Sequence, residues 1–188
     1  MNALPQLSFM QALRLGWGRL FEFNGRSRRS EYWWWMLAVG IVHIINAIIA
    51  ALTAFILTSA TGISVISGAF TLWYSLLAYT LNTGVMACSL GITVRRLHDC
   101  GRTTVWLYLS FILGVIINFG YAGLSYMVSE WSHSYVSESD TITAGILGVI
   151  LFILSIPYLV FSILVIVFCS KDGLPYPNEY GPSPKYIA

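Results

Sequence analysis

The chain has 188 residues, 57% of them in the hydrophobic set AVILMFWYC and only 10% charged, where a soluble domain carries about 25%. The charges are also unevenly placed: none occurs in 32–94, 103–129 or 141–170, stretches of 63, 27 and 30 residues. A bilayer-spanning helix needs about 20 mostly apolar residues, so the pattern excludes a soluble enzyme, a secreted disulfide scaffold and a nucleic-acid-binding domain, and points to an all-α, polytopic membrane protein.

In chain order, the first element is a helix predicted over 8–22. Ser8 and Gln11 have the spacing of a capping box. On that helix Phe9, Met10, Leu13, Trp17, Leu20 and Phe21 share an arc of about 120°, opposite Gln11, Arg14 and Gly18, with Leu15 the exception. This is the pattern of an interfacial amphipathic helix, its apolar face at the headgroup boundary while Arg14 and Arg19 meet anionic phosphates. Packing onto the protein's own loop is the other arrangement the pattern allows. The first apolar run comes too late and runs too long for a cleavable signal.

The 63-residue stretch would extend about 94 Å as one helix, about three times the hydrocarbon thickness, so it must turn back. The segment TSATGISVISG at 58–68 supplies the turn, because Ser, Thr and Gly favour local side-chain bonds and flexible backbone. Four spans follow, about 33–57, 69–94, 104–128 and 142–169, with a tail over 170–188, all in one membrane domain. Arg14, Arg19, Arg26, Arg28 and Arg29 precede the first span, Arg95, Arg96 and Arg102 lie between the second and third, and Lys171 and Lys185 follow the fourth. Four spans put all ten on one side, with Glu130, Glu138 and Asp140 on the other, so both termini are expected in the cytoplasm. Tyr32, Trp33, Trp34, Trp35, Trp106 and Tyr108 then form an inner aromatic belt, and Trp73, Tyr74, Tyr126, Trp131 and Tyr135 an outer one.

Three polar segments exceed what topology requires. The first, 25–33, reads GRSRRSEYW; Arg28 or Arg29 can pair with Asp99, and Glu31 with Arg95, Arg96 or Arg102. The second, 95–102, reads RRLHDCGR and falls in the loop after the second span, with Gly101 suited to ending or turning a helix. Its guanidiniums can grip a phosphate, and His98 beside Asp99 can exchange a proton. The third, 171–185, reads KDGLPYPNEYGPSPK, whose four prolines and two glycines prevent a regular helix and favour a fixed, turning strap.

These segments carry a resemblance. Gly-Arg-x-x-Arg-x-Glu-Tyr-Trp at 25–33, Arg-Arg-Leu-His-Asp-x-Gly-Arg at 95–102 and Asn-x-Tyr-Gly-Pro-x-Pro at 178–184, in that order, resemble the YhaH-like family of small bacterial inner-membrane proteins, catalogued as domain of unknown function eight hundred and five. The likeness covers about 9–184. It implies a four-helix inner-membrane protein with its motif residues on the cytoplasmic face, and it brings no established activity.

Within the spans the polar inventory is thin. His43 is the only Asp, Glu, Lys, Arg or His deep in a span; a hydrogen bond to a neighbouring helix is the expected role, with Asn46, Asn82 or Asn118 as the partner. Small residues spaced as Gly84/Cys88, Ala87/Gly91 and Gly120/Gly123 permit close helix approach, and Pro157 predicts a kink in the fourth span. Cys88, Cys100 and Cys169 form no CxxC pair, and His98 and Cys100 lack a third ligand at useful spacing, so neither a disulfide nor a metal site is expected.

Expected function follows from where the polar residues gather. The leading reading is a non-enzymatic inner-membrane scaffold or regulatory protein that binds a protein partner or anionic lipid through its cytoplasmic face. The candidate surface is Gly25, Arg26, Arg29, Glu31, Tyr32, Trp33, Arg95, Arg96, His98, Asp99, Gly101, Arg102, Asn178, Tyr180, Gly181 and Pro182. No cofactor, catalytic residue or nucleic acid is expected; the lipid bilayer is the surrounding partner, and a homo-oligomer is open to the chain. A small oligomeric transporter or channel is the alternative, and an enzyme on lipid-linked phosphate, using Arg95, Arg96 and Arg102 with His98 and Asp99, comes third.

Overall fold

In lipid every backbone N–H and C=O must be paired within the protein, so long charge-free runs become helices. The structure, a computed structural model, describes residues 2–61, 68–130 and 137–187. Its elements in order are β1 (Asn2–Ala3), α1 (Phe9–Gly18), α2 (Arg29–Thr61), α3 (Gly68–Asp99), α4 (Val105–Glu130), α5 (Glu138–Ser170) and β2 (Tyr186–Ile187). Four helical segments are long and apolar enough to cross a membrane: Arg29–Thr53, Leu76–Asp99, Val105–Val128 and Glu138–Ser170. The expected all-helical class and span count hold. Of the turn expected at 58–68, residues 58–61 belong to α2 and Gly68 to α3; residues 62–67 lie outside the described residues.

Contacts divide the chain into two compact units. The first comprises Met1–Ile41, Val85–Phe111 and Leu159–Ala188, so it holds α1, the start of α2, the end of α3, the start of α4, the end of α5 and both terminal segments. Its core is Tyr32, Val94, Leu97, Leu107, Val165 and Cys169, with Met36, Leu90 and Phe168 against it. Tyr32 and Trp35, three apart on α2, turn inward, and Trp35 donates to Ser89 Oγ at 3.1 Å. Trp33 and Trp34 turn outward, and with Trp106 and Tyr108 they are the exposed members of the expected inner aromatic belt; Tyr32 and Trp35 are not part of an exposed belt.

The capping box of α1 forms as expected, with Ser8 Oγ accepting from the Gln11 amide and Gln11 Oε1 from the Ser8 amide. The helix ends at Gly18, so Leu20 and Phe21 fall beyond it. It docks through its small residues: Ala12 and Gly16 are buried, and a Cβ on Gly16 would meet the Trp35 ring at 2.5 Å. Phe9 stands edge-on to Trp34 at 5.7 Å, while Met10 and Trp17 are left 64% and 71% exposed. One face of this helix thus packs on the protein, and an apolar ridge points away from it.

The tail is the strap its prolines predict. It returns to the N-terminus, where Asn2 pairs with Ile187 and Ala3 with Tyr186 in an antiparallel two-strand clasp, extended by Leu4 N–H to the Lys185 carbonyl at 2.9 Å. The clasp is an addition to the all-helical expectation.

The second unit comprises Val42–Gly84 and Ile112–Tyr158. Ser137 caps α5, its Oγ accepting from the Asp140 amide at 3.2 Å, and Glu138 and Asp140 sit favourably in the first turn of the helix dipole. Leu151 packs so closely on Gly120 that a Cβ there would meet it at 2.4 Å. Among the described residues a Cβ on Gly84 or Gly123 would meet nothing within 4 Å, and Gly91, in the first unit, seats the Leu20 carbonyl. The expected helix-packing role therefore falls to Gly120 alone of these four. Helix α5 runs on through Pro157.

Candidate functional site: an arginine–aspartate network

Helix α3 outlasts the span predicted for it. Residues 95–99, read from sequence as loop, form its last turns, and Gly101 ends it: Arg102 N–H reaches back to the Leu97 carbonyl at 2.9 Å and Gly101 takes φ +62°, the left-handed conformation of a Schellman cap. Once helical, Arg95 and Arg96 are about 100° apart and serve different neighbours.

Arg96 turns to the end of α5. Its Nε donates to the Cys169 carbonyl at 3.0 Å, and its Nη2 to that of Lys171; the first is among the last carbonyls of α5, which have no helical partner. Its Nη1 reaches Asp99 Oδ2 at 2.5 Å, one turn on along α3. Arg95 turns to the segment between α1 and α2, with Nε to Ser27 Oγ at 3.0 Å and Nη1 to the carbonyls of Arg19, at 2.7 Å, and Glu22. Its Nη2 stands 3.8 Å from Glu31 Oε1, and Ser27 Oγ donates to that same oxygen at 3.2 Å.

Arg26 completes the network from the segment before α2. Its Nε donates to Asp99 Oδ1 at 2.8 Å, Nη1 to the carbonyls of Tyr176 and Gly181 at 2.9 and 3.3 Å, and Nη2 to that of Leu174. Asp99 is therefore paired with Arg26 and Arg96, where Arg28 or Arg29 was expected; Glu31 does pair with Arg95. The reason is reach: Arg28 is committed to the Pro5 and Leu4 carbonyls at 3.0 and 2.8 Å, and Arg29 is exposed and meets Asp172 at 3.7 Å.

The arginines answer a backbone problem. A strap rich in proline leaves carbonyls without secondary-structure partners, and a buried orphan carbonyl costs about 1–3 kcal/mol. Arginine offers five donors and is the cation best suited to such a place. The strap in turn is shaped to Asp99: a Cβ on Gly173 would lie 1.9 Å from Asp99 Oδ2, and Leu174 N–H donates to the Asp99 carbonyl at 2.9 Å.

His98, adjacent to Asp99, faces elsewhere. Its ring stacks on Tyr180 with centroids 3.6 Å apart and an interplanar angle of 6°, and Asn178 Nδ2 donates to its carbonyl at 2.9 Å. Its Nδ1 is buried with no hydrogen-bond partner among the described residues. Arg102 is exposed and lies over the Phe168 ring at 5.1 Å. Burial pushes the Cys100 thiol above its ordinary pKa, with the Arg96 charge acting in the opposite direction.

The candidate surface thus divides. Arg26, Glu31, Tyr32, Arg95, Arg96, His98 and Asp99 are buried, Gly25, Asn178 and Gly181 are half-buried, and Arg29, Trp33, Gly101, Arg102, Tyr180 and Pro182 are exposed. Arg95, Arg96 and Arg102 point to three different neighbours, and Asp99 is enclosed by two guanidiniums. Among the described residues no group of three His, Cys, Asp or Glu is placed to hold a metal ion. Sequence reasoning missed Ser27, buried between Arg95 and Glu31, and Gly173; no local pattern marks either, though both lie inside the polar segments.

In the second unit His43 Nδ1 bonds Asn82 Oδ1 at 2.8 Å, one of the three partners expected. Asn118 instead donates to the Gly114 carbonyl of its own helix at 2.7 Å. His43, Asn46, Tyr79 and Asn82 line a cleft of about 430 Å³ floored by alanines. The side chains of Trp73, Tyr74, Trp131 and Tyr135 lie outside the described residues.

Four helices apolar enough to cross a membrane, with a buried arginine–aspartate network joining the end of α3 to the segment before α2 and to the end of α5, have the pattern of a multi-pass membrane protein. The chain matches the family described as protein of unknown function (DUF805) over residues 20–182, and it belongs to that family. No curated protein and no solved structure matches it.

Proposed function

We propose that this is a bacterial inner-membrane protein with both termini in the cytoplasm, acting without catalysis as a scaffold or regulatory protein whose cytoplasmic face binds a membrane-protein partner or anionic lipid. The sidedness is supported by charge: the first unit carries all ten Lys and Arg against five acids, a net +5, while Glu130, Glu138 and Asp140 in the second give −3. The binding role rests on one observation. The polar motif residues that could do chemistry are turned inward and hold the fold, while Arg29, Trp33, Arg102, Tyr180 and Pro182 of the same motifs stay exposed. The non-enzymatic reading has the same support, since His98 and Asp99 face different partners and three arginines that would have to converge on a phosphate diverge.

The test is a photoreactive phenylalanine analogue at Tyr180, activated in native membranes. One dominant adduct, with a single protein or an anionic lipid, is the expected result. Adducts that merely follow bulk lipid composition would overturn the reading.

The transporter alternative is favoured by the His43 cleft, because polar side chains facing a cavity in an apolar span commonly mark a solute path. Solute flux in liposomes that Asn82→Ala alters would support it; no flux across a broad screen would remove it.

A further inference from the structure

A second polar feature of the first unit lies outside the buried network. Arg28, Arg29, Ser30, Trp33, Asp172 and Lys185 line a cavity of about 540 Å³ at the start of α2. Three of these side chains are cations and one is an anion. Asp172 Oδ1 is shared by Arg29 at 3.7 Å and Lys185 at 3.6 Å, which leaves a local charge of +2. Arg28 holds the N-terminal segment by two carbonyls and frames the wall, while the clasp of β1 on β2 brings Lys185 to the opposite side. The cavity lies at the N-terminal end of α2, where the helix dipole is positive. Trp33, exposed and one turn into α2, marks the depth, since indole rings favour the headgroup layer and Arg29–Thr53 is the first membrane-crossing segment.

We infer that this cavity binds the phosphate of an anionic phospholipid headgroup, with Arg29 and Lys185 as the cations that contact it, Ser30 as a hydroxyl donor, and Asp172 as a built-in competitor for the same cations. The inference rests on the proposed lipid-facing role and gives it a place and a ligand. A net-anionic headgroup is selected because the choline of a zwitterionic lipid would bring its cation into a pocket already at +2. Arg29, Asp172 and Lys185 have side chains 54%, 66% and 39% exposed, so they are free to exchange partners.

The experiment uses the full chain in detergent with phosphatidylglycerol as the probe, and phosphatidylcholine and inorganic phosphate as competitors, read by native mass spectrometry. Phosphatidylglycerol is expected to bind at one lipid per chain and to resist both competitors. Each basic residue near a membrane surface contributes about a fivefold factor, so Arg29→Gln with Lys185→Gln should weaken binding about twenty- to thirtyfold. Asp172→Asn should strengthen it about threefold to fivefold by removing the competitor, an increase that a misfolded variant cannot produce. Unchanged affinity in the double variant, or equal binding of phosphatidylcholine, overturns the inference. Displacement by equimolar inorganic phosphate also overturns it, since the ligand would then be a soluble anion. Loss of the Tyr180 adduct with lipid binding intact would sink the proposed function and leave this site standing; the reverse pair of results would do the opposite.

Discussion

Asp99 and Asp172 each stand between two cations, yet their surroundings give the two clusters opposite meanings. Asp99 is held by Arg26 and Arg96 with its carboxylate almost wholly buried, whereas Asp172 lies between Arg29 and Lys185 in the open. Burial removes water from every group in the first cluster, so each charge depends on its partner and cannot be withdrawn without leaving another uncompensated. In the second, water and salt already solvate the charges, and the pairing is loose enough to be exchanged. Arginines of one sequence motif therefore divide into those that build the fold and those that remain available to a ligand.

The largest effect should come from Asp99→Ala, which strands two buried guanidiniums and is expected to cost about 3–5 kcal/mol. Thermal unfolding of the detergent-purified protein, together with membrane yield, measures it. A variant as stable as the parent would show that water enters the network. Next is Gly173→Ala, whose Cβ would fall 1.9 Å from Asp99 Oδ2. Forcing the strap away should cost about 1–3 kcal/mol, the usual range for overpacking. Gly145→Ala, at an α5 position with nothing within 4 Å, is the control and should be neutral or slightly stabilising.

The second unit allows an intermediate case. His43 and Asn82 are polar partners on two apolar spans, joined at 2.8 Å. A double-mutant cycle of His43→Ala and Asn82→Ala should return about 0.6 kcal/mol of coupling, with about 1.7 kcal/mol as the upper end for such bonds. A coupling near zero would mean that the cleft, and not this bond, keeps both residues polar.

How much of this was legible beforehand depends on range. The capping box of Ser8 and Gln11, the stop at Gly101 and the proline-shaped strap are local signals, and each appears where its residues predict. The His43 bond was legible as a need for a partner, since an intramembrane imidazole has few alternatives. The Arg26–Asp99 pair was not, because nothing local links residues 73 apart and the neighbouring Arg28 and Arg29 were read as the partners. Helix α3 was cut short because charge was read as the end of a span; the helix continues, since arginines on its last turns can cap α5 and the strap. The docking face of α1 was hidden for another reason. Ala12 and Gly16 carry little hydrophobic weight, yet their smallness is what admits Trp35.

The smallest effect on stability isolates the comparison most sharply. Asp172→Asn removes the carboxylate shared by Arg29 and Lys185, with side chains 66%, 54% and 39% exposed. An exposed pair contributes about 0–1 kcal/mol, so unfolding should shift by no more than that, and the difference should shrink further at high salt as the Debye length falls below about 8 Å. The same substitution leaves three cations facing one cavity without their counter-charge, which is why its effect belongs on ligand affinity and not on the fold. Asp99→Asn should behave in the reverse manner, unfolding the basic end while leaving no new cation accessible. Parallel melting curves of the two variants, taken at low and high salt, check this. A loss for Asp172→Asn comparable with that for Asp99→Asn would mean that the outer cluster is structural too, and the division between building and binding arginines would fail.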